Sequence, residues 1–135
     1  MKKIILKAKV DNLDEVLSFI DAELEEAGCT PKKQMQIDLS VEELYVNIAN
    51  YAYGDSEGDA EIWIDADGGT SRAEITFIDS GIPYNPLEKD DPDVTLPAEE
   101  REIGGLGIFL VKKNMDDVIY KYEDNKNKLT IIATW

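Results

Sequence analysis

At 135 residues the chain is long enough to bury a core without staples, and 43% hydrophobic with 32% charged residues describes a soluble globular protein. One cysteine, Cys29, and no histidine exclude a disulfide framework, a zinc site and histidine-based catalysis. A net charge of −15, from 14 basic and 29 acidic residues, argues against a grip on nucleic acid or an anionic membrane; an anionic ligand would need a cation or oriented backbone N–H groups.

In chain order, residues 3–9 (Lys3-Ile4-Ile5-Leu6-Lys7-Ala8-Lys9) read as an edge strand with lysines on one side. The start is too quickly charged for a signal peptide and no apolar run reaches membrane length, so a cytoplasmic protein is expected. Asp11, with Asp14 three residues on, resembles a capping signal for an amphipathic helix through Leu13, Val16, Leu17, Ile20 and Leu24, closed by Ala27-Gly28. Thr30-Pro31 then starts a second helix, expected to run through Met35, Leu39 and Leu44 to about Ala52.

The second half of that helix, from Ser40 to Tyr53, spends carboxylates and carboxamides on an otherwise apolar stretch. Glu43 and Asn47 are four apart and share a face; Asn47 and Asn50 are also neighbours, whereas Glu42 turns about 100° away from Glu43. Such groups either tie down neighbouring loops or face a ligand, asparagine as an oxygen donor to a hard cation and glutamate as a proton acceptor.

Two strands follow, residues 60–66 and 73–79, joined by a hairpin turn at Asp67-Gly68-Gly69-Thr70, with Ala73, Ile75 and Phe77 on one face and Glu74 and Thr76 on the other. The second strand runs into Asp79-Ser80-Gly81, which puts a carboxylate at the sheet's lip beside backbone with no side chain in the way. It reads either as an ordinary Asx turn or as an acceptor for an exocyclic amine, with Gly81 admitting a flat ring. Residues 85–103 are rich in proline and acid and read as a lid loop. Gly104-Gly105-Leu106-Gly107 opens a helix whose apolar face is expected to be Leu106, Leu110, Val111 and Met115, with N–H groups free for an anion at its start. It is neither a Walker loop nor a Rossmann turn. The chain ends in two strands, 117–123 and 128–135, joined by Asp124-Asn125-Lys126-Asn127.

Glu43-x-x-x-Asn47, Asp79-x-Gly81 and Gly104-Gly105-x-Gly107, in that order, resemble the N, G1 and G2 boxes of the GHKL (Bergerat-fold) ATP-binding superfamily. Within it the chain looks most like the small stand-alone anti-sigma factor serine/threonine kinases of bacteria, and the likeness covers nearly all of it. The resemblance implies an α+β, two-layer sandwich: helices on one face of a mixed, mostly antiparallel sheet, in a single domain spanning 1–135. It implies ATP held between helices and lid, with Asn47 on Mg²⁺, Glu43 as general base, Asp79 on the adenine amine and Gly81 beside it. Gly104, Gly105 and Gly107 are the matching glycines of the phosphate-binding segment. Pro83 stands where the wider superfamily often has a second glycine, and Tyr51 where relatives often carry histidine. Lys89 and Arg101 are the lid cations in reach of a γ-phosphate, although both read more simply as solvated charges. The implied function is phosphorylation of a small anti-anti-sigma (STAS-type) partner and control of a sigma factor, with homodimerisation a further implication. The alternative is a nucleotide-dependent interaction module with little kinase activity.

Overall fold

The computed structural model describes residues 1–88 and 105–135. The elements run β1 (Lys2–Lys7), α1 (Leu13–Glu26), α2 (Pro31–Tyr51), β2 (Asp59–Asp67), β3 (Arg72–Asp79), α3 (Gly105–Asn114), β4 (Asp117–Glu123) and β5 (Lys126–Thr134). The strands form one sheet in the order β1-β2-β3-β5-β4. Every described pairing is antiparallel, where a mixed sheet was expected. The connections explain this. The α1–α2 pair returns the chain antiparallel to β1. The link through α3 delivers β4 parallel to β3, but the β4–β5 hairpin inserts β5 between them.

The alternation along β3 holds residue for residue: Ala73, Ile75, Phe77 and Asp79 are buried, and Arg72, Glu74, Thr76 and Ile78 are half-buried on the opposite face. The buried face joins Ile62 and Ile64 of β2 and Ile131 of β5, and all three helices pack on it. Val16, Ile20 and Leu24 of α1, Ile37, Val41, Leu44 and Tyr45 of α2, and Ile108, Val111 and Met115 of α3 complete the core. Each large apolar side chain buried there contributes roughly 1.5–3 kcal/mol. Among the described residues no helix is long and apolar enough to cross a membrane.

Several local expectations change. The chain enters α1 through a short 3₁₀ turn, Val10–Asn12, and Asn12 rather than Asp11 occupies the cap position. The Asn12 side chain makes no cap bond; its Nδ2 donates to the Lys7 carbonyl at 2.9 Å, tying the turn back to β1. Thr30 does cap α2, accepting from Lys33 N–H at 3.3 Å. The helix does run through Met35, Leu39 and Leu44, and Met35 and Leu39 are 60% and 57% exposed, since Ile37, Val41 and Leu44 form the inward stripe. In α3, which is apolar nearly all round, Ile108 takes the core position and Leu110 is exposed. Tyr45 is fully buried, and its hydroxyl donates to the Lys9 carbonyl at 2.7 Å and accepts from Lys9 N–H at 3.1 Å, with the Lys7 carbonyl 3.0 Å away.

Candidate functional site

Between the second half of α2 and the lip of the sheet lies a cavity of about 380 Å³, lined by Asn47, Ile48, Tyr51 and Ala52 from the helix and by Phe77, Asp79, Tyr120, Asn127 and Leu129 from the sheet. Ile82, Tyr84 and Pro86 close its outer side. Its walls are mainly apolar and aromatic with a few convergent polar groups, the make-up of a small-molecule site.

Asp79 is 7% exposed. Its Oδ1 accepts from Gly81 N–H at 2.9 Å, which is an Asx turn, and from Asn127 Nδ2 at 2.9 Å. Oδ2 has no partner among the described residues, so one acceptor remains for a donor in the cavity. The turn reading of Asp79-x-Gly81 is thus realised on Oδ1, and it leaves Oδ2 free of it.

Gly81 is required by close approach. A Cβ there would lie 2.1 Å from the Ala52 carbonyl oxygen, and the next residue, Ile82, donates its N–H to that same oxygen at 2.9 Å. The loop after β3 is thus stitched to the end of α2. Tyr53 adds a second stitch, its hydroxyl accepting from Ser80 N–H at 2.9 Å and donating to the Asp59 carbonyl at 2.6 Å. Burial pushes the Tyr53 phenol above its ordinary range, partly opposed by the Ser80 hydrogen bond.

Glu43 and Asn47 share a face as their spacing requires: Asn47 Nδ2 donates to Glu43 Oε1 at 3.3 Å. Asn47 Oδ1 and Glu43 Oε2 have no hydrogen-bond partner among the described residues. Asn47 lines the cavity, while Glu43 stands one turn earlier, under α3. A Cβ at Gly107 would lie 2.2 Å from the Glu43 carboxyl carbon, so any larger residue there would push that carboxylate aside. The amides of the first turn of α3 have no intrahelical acceptor. Gly105 is the first residue of α3. Gly104, Lys89 and Arg101, with the lid loop from residue 89 onward, lie outside the described residues. Asn50 and Glu42 are exposed and take no part in the site.

Asn127 is the residue that sequence reasoning missed. Asp124 and Asn125 have φ of 56° and 60°, a two-residue turn with both central residues left-handed, so β5 begins at Lys126 and Asn127 sits in the ladder opposite Asp79. Its Nδ2 donates to Asp79 Oδ1 and to the Ile82 carbonyl, both at 2.9 Å. Its Oδ1 accepts from Tyr84 N–H at 3.1 Å and from the Tyr120 hydroxyl. Burial raises the Tyr120 phenol, with the Asp79 charge adding to it, which keeps that hydroxyl a donor. The Asp-Asn pair was the available signal: it is a hairpin turn in its own right, which frees Lys126 and Asn127 for the strand.

The sheet order, the helices on one face and the polar pairs around the cleft define a class. The chain belongs to the histidine kinase-like ATPase domain family, whose model matches residues 6–133. Among solved structures its fold is similar to that of the RsbU and RsbW domains of Rv1364c from Mycobacterium tuberculosis, with a TM-score of 0.63 and 12% identity over 99% of this chain. The chain spans 32% of the length of that chain, and the likeness is one of fold. No curated protein matches it in sequence.

Proposed function

We propose that residues 1–135 form one ATP-binding domain acting as a Mg²⁺-dependent serine/threonine protein kinase on a small STAS-type anti-anti-sigma partner, and so controlling a sigma factor. Membership of the histidine kinase-like ATPase family supports the nucleotide part. The fold shared with a structure described by its RsbW domain supports the narrower group. The observation that carries the reading is the Glu43–Asn47 pair, Asn47 lining the cavity and Glu43 one turn earlier beneath α3, each residue keeping one oxygen without a partner among the described residues.

The donor set fits the groups it would hold. Asn47 Oδ1 suits a hard cation, and Mg²⁺, when bound, supplies charge neutralisation on the phosphates that a chain at −15 does not offer in bulk. Asp79 Oδ2 suits the 6-amino group of adenine, with Gly81 keeping its loop tight against α2. Glu43 takes the proton from the attacking serine or threonine hydroxyl.

The test is a thermal-shift titration with ATP, ADP and GTP, with and without Mg²⁺, on wild type and Asn47→Ala. A ligand at 100 times its dissociation constant stabilises by roughly 2.7 kcal/mol. A Mg²⁺-dependent, adenine-specific shift that Asn47→Ala weakens is the expected result, and no shift with any nucleotide would sink the reading. Phosphotransfer to a STAS-type protein should fall about 10²–10⁴-fold in Glu43→Ala. Unchanged transfer would remove Glu43 from its role. Nucleotide binding without any transfer would leave an ATP-dependent interaction module.

A further inference from the structure

Asn127 has four polar contacts and no spare capacity. A carboxamide offers two N–H donors and two acceptor lone pairs. Here both donors go to Asp79 Oδ1 and the Ile82 carbonyl, and the oxygen accepts from Tyr84 N–H and the Tyr120 hydroxyl. The orientation of the amide follows from its surroundings. Turned over, its oxygen would face a carboxylate and a carbonyl, while its NH₂ would face two donors. The group is 7% exposed and lies beside the cavity, yet every hydrogen bond it can make is to protein. It is therefore placed to act on a ligand only through Asp79 and through the loop after β3.

We propose that Asn127 is a positioning residue for nucleobase selection: it occupies Asp79 Oδ1 and pins the loop at Ile82 and Tyr84, so that Oδ2 alone faces the cavity as a fixed acceptor. The inference rests on the nucleotide reading above. A carboxylate held by one backbone N–H alone can rotate and present either oxygen; held by a second donor from β5 it presents one. A lone acceptor in a cavity walled by apolar groups favours a base carrying an amino group at that position. It disfavours a base with a carbonyl there, because two acceptors would then meet without a hydrogen between them. Register keeps the arrangement: Asp79 and Asn127 are directly opposite in the β3–β5 ladder, and a one-residue slip of β5 would turn Asn127 to the other face.

The experiment compares ADP with inosine diphosphate, which differs from it in carrying a 6-oxo group in place of the 6-amino group. Dissociation constants for both are measured at pH 5.5 and pH 8 on wild type, Asn127→Ala and Asn127→Asp, each first checked for a cooperative melt. Wild type is expected to prefer ADP roughly 10- to 100-fold. Asn127→Ala should bring that preference close to one, mainly by weakening ADP. In Asn127→Asp the new carboxylate faces Asp79, so a shared proton restores the bridge at low pH and repulsion breaks it at high pH. ADP should then bind about 10-fold or more tightly at pH 5.5 than at pH 8, with no comparable change in wild type.

An unchanged ADP-to-inosine-diphosphate ratio in Asn127→Ala, both ligands weakening together, would reduce the residue to scaffold and overturn the inference. So would ADP binding by Asn127→Asp that does not vary with pH. Wild type that binds both nucleotides alike overturns the inference and leaves nucleotide binding standing. Wild type that binds neither overturns the nucleotide reading and takes this inference with it.

Discussion

Asp79, at the lip of β3, and Asp38, on the first half of α2, are both drawn out of water, and their surroundings differ in one respect: the supply of donors. Asp79 Oδ1 receives the Gly81 N–H and the Asn127 amide. Asp38 meets Asp21 of α1 instead, and the Oδ1 atoms of both are buried without a hydrogen-bond partner. Two facing carboxylates satisfy each other only by sharing a proton. Accordingly Asp38 is pushed up from 3.8 to about 8, by burial first, then by the bond to Asp21 that a shared proton makes, by the Asp21 charge and by the Glu25 charge. At the sheet's lip, strand register and a turn deliver donors to a carboxylate. At the α1–α2 seam the helices bring acid to acid. One arrangement presents a fixed acceptor, and the other stores a proton.

The comparison can be broken at its donor-rich end with Asn127→Ala. That change leaves Asp79 Oδ1 with one donor and strips partners from the Ile82 carbonyl, Tyr84 N–H and the Tyr120 hydroxyl. The expected loss in urea unfolding is about 3 kcal/mol at pH 7. A loss under about 1 kcal/mol would mean that water replaces Asn127 without penalty, and the two regions would differ less than their hydrogen bonds suggest.

The donor-poor end gives a smaller effect with a distinctive pH dependence. Since the folded state holds a proton that the unfolded chain releases, stability falls as pH rises from about 4 to about 8 and then levels. The seam borders an open groove lined by Glu25, Cys29, Met35 and Asp38, so solvent screens the pair and only part of the shift appears as stability. Asp38→Asn should therefore raise stability by about 1–2 kcal/mol at pH 8 and change it little near pH 4. Melting curves across this range decide it, and an equal gain at both ends would point to a cause other than the shared proton.

The smallest change sharpens the boundary of the donor-rich region. Tyr53→Phe removes the acceptor of Ser80 N–H and the donor to the Asp59 carbonyl, bonds near the surface around a half-buried ring, where water can step in. A loss of about 1 kcal/mol is expected by the same unfolding measurement. A loss matching that of Asn127→Ala would extend the rigid cluster outward to the end of α2.

What the sequence made legible were relations fixed by local geometry. The i to i+4 spacing put Glu43 against Asn47, and strand alternation put Ala73, Ile75 and Phe77 inward with Asp79 in the same row. Asp79-x-Gly81 was legible because its Asx turn is local, whereas the close approach of Gly81 to Ala52 joins segments far apart in the chain. Asn127 was hidden because its partner lies 48 residues earlier and the two meet only through β3–β5 register. The polar run Asp124-Asn125-Lys126-Asn127 looks like loop from end to end, and only the Asp124-Asn125 pair, a two-residue turn, hints at where the strand begins. The apolar face of α3 failed for a different reason. α3 carries apolar residues on more than one side, so Leu110 competes with Ile108 until the neighbouring elements choose between them.

Tyr45 sits between Glu43 and Asn47 on α2 but faces the other way, binding the backbone at Lys9 just past the end of β1. Edge strands ordinarily fray, and their amides exchange with solvent through small local openings. Here the exit from the edge strand is latched to the helix that carries the candidate catalytic pair. Opening β1 then requires Tyr45 to give up its bonds from within the core. The Ala8 amide, bonded to the Gly58 carbonyl at 2.9 Å, should exchange on the timescale of global unfolding, and in Tyr45→Phe it should exchange faster than the centre of the sheet.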